Sequence, residues 1–208
     1  LPQCKKVFLA KLCILKARFT LEDTLIKNSL EDGDPEIRLF AAKLLGKDGI
    51  TIIKDLFTRS SDELKTEIIQ HFASEKEIDV MEFLLKNANS ESVGVLSEIA
   101  NYCSLVKSDK AEPFLLRELQ RCLSGDDTER DKSYGLKLIE ALASCGTFKS
   151  IEVLYGVKSL ALKRDAEKAI ATIQDRIGTG DAGWLSMHET DDSVGMLSIS
   201  ESDNAEKK

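Results

Sequence analysis

Histidine, cysteine and paired carboxylates build most catalytic and metal sites, and in this chain they are scattered. Its 208 residues include two histidines, His71 and His188, and five cysteines, Cys4, Cys13, Cys103, Cys122 and Cys145. No two cysteines form a Cys-x-x-Cys pair, and no His, Cys and carboxylate residues cluster at the spacing of a metal site. His71 occupies a helical position beside Phe72 and reads as a structural histidine. Gly178-Thr179-Gly180 follows a helical segment instead of opening one, so it lacks the geometry of a phosphate loop. A Gly-x-Ser-x-Gly nucleophile context is absent. The expectation is a non-catalytic protein with no metal and no cofactor. The odd, dispersed cysteines, set among apolar residues, point to reduced thiols and a cytoplasmic setting.

One class of polar residue does recur in register. Arg38, Lys65 and Lys163 each follow the first apolar position of an amphipathic segment. Such a row has two readings. It either forms a structural ladder, each cation meeting a nearby carboxylate such as Asp34 or Asp62, or it lines a groove that grips an acidic peptide. Gly94 and Gly135 interrupt the row, so any basic stripe is short.

The elements that would position these residues are helices. Asp34-Pro35-Glu36-Ile37-Arg38-Leu39-Phe40-Ala41-Ala42-Lys43-Leu44-Leu45-Gly46 has a capping Asp, a first-turn Pro and a terminating Gly. Ile37, Phe40, Ala41, Leu44 and Leu45 share its apolar face. The same register fits Leu64, Ile68 and Phe72; then Val93, Leu96 and Ala100; then Tyr134, Leu138, Ala141 and Leu142; then Leu162, Ala166, Ala169, Ile170 and Ile173. The first apolar positions fall at 37, 64, 93, 134 and 162, so three of four intervals lie close to 28 residues. The long interval requires an insertion or longer helices between Lys107 and Thr128. Shorter amphipathic segments alternate with these: Leu21–Leu30, Ile50–Phe57, Ile78–Leu85, Ala111–Leu123 and Ser150–Val157. Residues 3–18 add one more helix. A single such hairpin cannot bury both faces, so neighbours must stack.

Leu21 to Leu30 followed by the Asp34–Arg38 helix start resembles a HEAT repeat of the short type found in phycobilisome-lyase-like proteins, and Leu162 to Ile170 is similar to the same pattern. The resemblance covers residues 20–177. It implies an all-α fold, an α-solenoid of stacked helical hairpins in a HEAT-like superhelix, and protein binding through a concave face of second helices. The side chains expected on that face are Arg38, Ala42, Lys65, Ile69, Val95, Ile99, Ile139 and Lys163. The resemblance also leaves open a bilin-lyase-like enzyme or enzyme subunit. A helical-repeat DNA-repair glycosylase would need a basic groove with stacking aromatics.

Charge weighs against the last option. Residues 61–130 hold 8 basic and 15 acidic side chains, and residues 178–208 hold 2 and 7. Both blocks repel phosphate, which argues against nucleic acid as a partner. No apolar run reaches the roughly 18 residues of a membrane span, so no membrane partner is expected. The expected partner is another protein or peptide, acidic if the basic row lines the groove. The chain opens on Leu1 rather than Met, as a fragment or processed product would.

Residues 1–177 are therefore expected to form the helical array, and residues 178–208 a disordered, acidic, Ser-rich tail. The tail repeats itself. Gly183-Trp184-Leu185-Ser186-Met187-His188-Glu189-Thr190-Asp191 is echoed by Gly195-Met196-Leu197-Ser198-Ile199-Ser200-Glu201-Ser202-Asp203. Trp184, Leu185, Met196 and Leu197 are candidate docking anchors, since tryptophan is favoured at interfaces. An acidic tail of this kind is also electrostatically suited to fold back on a basic first or last repeat.

Overall fold

The computed structural model describes residues 23–75, 80–124 and 129–178. Among these residues every regular element is helical and no strand occurs. The helix expected at 3–18, the Gly-x-Leu-Ser echo and the disorder expected of the tail lie outside the described residues.

Among the described residues ten α-helices follow one another: α1 (Asp23–Leu30), α2 (Pro35–Leu44), α3 (Ile50–Arg59), α4 (Asp62–Glu75), α5 (Met81–Asn87), α6 (Val93–Val106), α7 (Glu112–Ser124), α8 (Glu129–Cys145), α9 (Phe148–Tyr155) and α10 (Leu160–Gly178). Local chemistry sets their ends. The Asp34 side chain accepts from the Glu36 amide at 3.0 Å, with Pro35 in the first turn of α2. Past its end Gly46 takes φ +60°, the left-handed conformation that glycine adopts most readily. Ser92 caps α6 through the Val95 amide, and Thr147 caps α9 through the Lys149 amide. Lys107 closes α6 at φ 55°, also left-handed.

Consecutive helices pair: α1 with α2, α3 with α4, α5 with α6, α7 with α8, and α9 with α10. The second helices also lie side by side, α4 against α6, α6 against α8 and α8 against α10. On the other side α7 touches α9, and the Phe57 and Phe83 rings meet edge-on at 5.6 Å between α3 and α5. One apolar core runs from Leu39 to Ile173. The long repeat interval has two causes. Tyr134 lies one and a half turns into the 17-residue α8, whereas Val93 opens α6. In addition α7 runs 13 residues where the other first helices run 7 to 10, so longer helices do fall between Lys107 and Thr128.

The expected inward residues of α4, α8 and α10 are buried. In α2 the stripe differs. Leu39, Ala41 and Ala42 are buried, whereas Ile37, Phe40, Leu44 and Leu45 are half-buried. The tight turn into α3 brings Gly49 onto Ala42, where a Cβ would lie 2.0 Å from the Ala42 carbonyl oxygen.

Candidate functional site

The row of second helices carries most of the residues singled out by register. Ala42, Val95 and Ile99 are 0% exposed, and Ile69 and Ile139 are 1% exposed. These five belong to the core and are corrected as surface residues. Successive side chains turn by about 100°, so Ile69 stands some 140° around α4 from Leu64. That direction would face solvent on a lone hairpin. Here the neighbouring second helix α6 occupies that side of the array.

The three basic residues do not share an environment. Lys65 is tied to Glu91 by bonds of 2.8 and 2.7 Å to its two carboxylate oxygens. Its ammonium also lies 5.5 Å from the centre of the Phe57 ring. Its carboxylate partner is thus Glu91, 26 residues on, rather than Asp62. Arg38 is half-buried, and its Nε has no hydrogen-bond partner among the described residues. Lys163 is exposed on the last helix. Further links join neighbouring second helices: Lys43 to Glu67 at 2.6 Å, Lys137 to Glu98 at 3.7 Å, and Ser104 to Ser144 at 3.0 Å.

What the second helices turn outward is different. Glu63, Glu67, Gln70 and Ser74 of α4 are exposed, as are Asn101 and Leu105 of α6 and Ser133 and Glu140 of α8. Half-buried Glu98 and Lys137 lie among them. This face is polar and carboxylate-rich, with Leu105 at 52% exposure as its apolar point. His71 borders it, half-buried, its ring centre 6.1 Å from that of Phe72. Burial, and then the Lys43 ammonium, hold its imidazole below the usual range.

A pocket of about 460 Å³ opens where the start of α6, the end of α7 and the first turns of α8 converge. Val93, Leu96 and Cys122 supply its less polar wall, and Glu91, Glu118, Arg121, Ser124 and Tyr134 its polar one. Glu118 sits in the inward stripe of α7 beside Leu115 and Leu119, with its side chain 4% exposed. Arg117 Nε donates to it at 3.3 Å, Tyr134 Oη donates at 3.5 Å, and Arg121 Nη1 lies 3.7 Å away. Burial, reinforced by the adjacent Glu118 charge, raises the Tyr134 phenol well above its ordinary range, so it stays a donor. Both carboxylates are already met by cations. The pocket therefore suits reception of a polar group better than proton transfer. Gly135 lets this corner close, since a Cβ there would lie 2.8 Å from Leu162 Cδ1 and 3.2 Å from Cys122 Sγ. That gives the break in the basic row a packing reason.

A second buried carboxylate works structurally. Glu112 accepts from the Thr147 amide at 2.6 Å, from Thr147 Oγ1 at 2.8 Å and from Ser150 Oγ at 2.6 Å. Burial alone would raise its pKa, but these bonds outweigh burial and lower it. Sequence reasoning missed both carboxylates. Glu118 had a local signal, an acid within an apolar helical stripe; Glu112 had none, because its partners lie 35 and 38 residues away.

Two of the remaining thiols are enclosed. Burial pushes Cys103 up to about 12 and Cys145 up to about 11. Among the described residues no group of three or more His, Cys, Asp or Glu side chains could hold a metal ion. No described helix is long and apolar enough to cross a membrane. Trp184, Leu185, Met196 and Leu197 lie outside the described residues. No protein-family model matches the chain, and no curated protein or solved structure matches it either.

Proposed function

We propose that the chain is a non-catalytic scaffold of the HEAT-like α-solenoid type, which binds another protein on the outward face of its second helices. The lateral run α4–α6–α8–α10 carries this reading, because it makes one continuous surface from residues distant in sequence. Ion pairs and a hydroxyl contact between neighbouring second helices support a rigid presentation of that surface. Rigidity matters because a preorganised face loses little conformational entropy on binding.

The composition of the face selects its partner. Glu63, Glu67, Glu98 and Glu140 outnumber Lys43 and Lys137, and Leu105 offers an apolar contact. The fitting partner presents basic side chains around a small apolar anchor, in place of the acidic peptide expected from the row of cations. Affinity capture tests this with three proteins: the intact chain, a second-helix variant (Leu105→Glu with Glu140→Lys) and a first-helix control (Asp55→Lys with Glu82→Lys). All four positions are exposed, so folding should be preserved. The proteins held by the intact chain should be lost with the first variant and kept with the control. Equal retention by both, or equal loss from both, would refute the assignment.

A further inference from the structure

We propose that the segment around Trp184 docks in cis on the outer side of the last hairpin, over Phe148, Tyr155 and Leu160. Four large apolar side chains are exposed among the described residues, and three of them are in this hairpin: Phe148 at 56%, Tyr155 at 70% and Leu160 at 91%. Phe148 and Tyr155 are seven residues apart on α9 and so lie along one side of that helix.

Reach selects this surface over the first repeats. Arg176 donates to the Gly146 carbonyl, so the end of α10 lies beside the start of α9. Trp184 is six residues beyond Gly178, a distance of up to about 20 Å for extended chain. Phe148 to Tyr155 spans only ~10 Å of helix axis. The first pair lies four helix spacings away along α2, α4, α6, α8 and α10, on the order of 35 Å or more at 8–10 Å each. Trp184 can cover α9 but cannot reach α2.

Charge and chemistry point the same way. The same hairpin exposes Lys149, Lys158, Lys163, Arg164 and Lys168, opposed by Glu152 on α9 and by Asp165 and Glu167 on α10, with Lys168 tied to Asp165 at 2.9 Å. The segment from 178 to 208 holds seven carboxylates and two lysines, with Asp181 and Glu189 flanking the tryptophan. An indole stacked on Phe148 and Tyr155 gains from aromatic pairing as well as from burial. This docking is independent of any partner on the second-helix face.

Trp184 is the only tryptophan, so its fluorescence reports this contact without a label. In the full chain, the emission should be blue-shifted and protected from acrylamide compared with the urea-unfolded chain. Phe148→Ser combined with Tyr155→Ser and Leu160→Ser should shift it to the red, with a loss of about tenfold in docked over undocked population. Helical circular dichroism should be unchanged. Lys158→Glu with Lys163→Glu should weaken protection and its dependence on salt, since screening shortens the reach of these charges. Native emission identical to that of the unfolded chain would overturn the proposal. So would protection that survives the triple substitution, or protection that grows with protein concentration, which would mean docking on a second copy.

Discussion

Replacing Glu112 by Gln should loosen the junction between α7 and α9 by an amount that depends on pH. Three donors converge on this carboxylate at 2.6, 2.8 and 2.6 Å: the Thr147 amide, the Thr147 hydroxyl and the Ser150 hydroxyl. Ser150 is 0% exposed, and Glu112 is 7% exposed. All three bonds fall on Oε1, which a glutamine can keep, and the second carboxylate oxygen meets only the Thr147 hydroxyl, at 3.0 Å; what the glutamine loses is the charge on the shared acceptor. Hydrogen bonds to a charged acceptor contribute about 1.5–3 kcal/mol each, against about 0.5–1.5 kcal/mol for neutral ones, so removing the charge from three bonds should cost about 3 kcal/mol. For a chain of this size that lowers Tm by roughly 6–12 °C. The fold lowers the Glu112 pKa from the ordinary 4.5, so it favours the charged form. The stabilisation is therefore complete above the unfolded-state value near 4.5 and is lost as pH falls through the lower folded value. Urea titrations followed by circular dichroism at pH 7 and then at steps below 4.5 measure this. The stability gap between the parent chain and Glu112→Gln should narrow on acidification. A gap that stays constant or widens, or a variant as stable as the parent at pH 7, would refute the argument.

Two further outcomes follow from the packing. Lys65→Ala leaves the 7%-exposed Glu91 carboxylate without its ammonium and should destabilise the chain by about 3 kcal/mol, whereas Lys65→Met with Glu91→Leu should be close to neutral; urea midpoints separate the two, and equal losses would contradict the pairing. Gly49→Ala should cost about 3 kcal/mol, because its Cβ would fall 2.0 Å from the Ala42 carbonyl and backbone yields less readily than a side chain; a melting temperature within a degree of the parent would count against that contact.

The helices themselves were legible because their signals are local. Asp34-Pro35, Ser92 and Gly46 act within a turn of where they stand, and the alternation of longer and shorter apolar segments reappears as paired helices. The surface was read less well. Ile69, Ile99 and Ile139 look outward when each hairpin is taken alone, yet all three are core residues.

By itself, then, the sequence determined that the described residues are helical, most helix ends and the inward stripe of three of the five second helices, α4, α8 and α10. Only the tertiary structure decided which flanks are covered, which cations are already spent on carboxylates and which acids are buried. A 3.6-residue period marks a single apolar stripe, but a helix with neighbours on several sides buries more than one stripe. Pairs such as Lys65–Glu91 and Glu112–Ser150 form across 26 and 38 residues. They depend on how far one helix is rotated and shifted against the next, and no short stretch of chain encodes that.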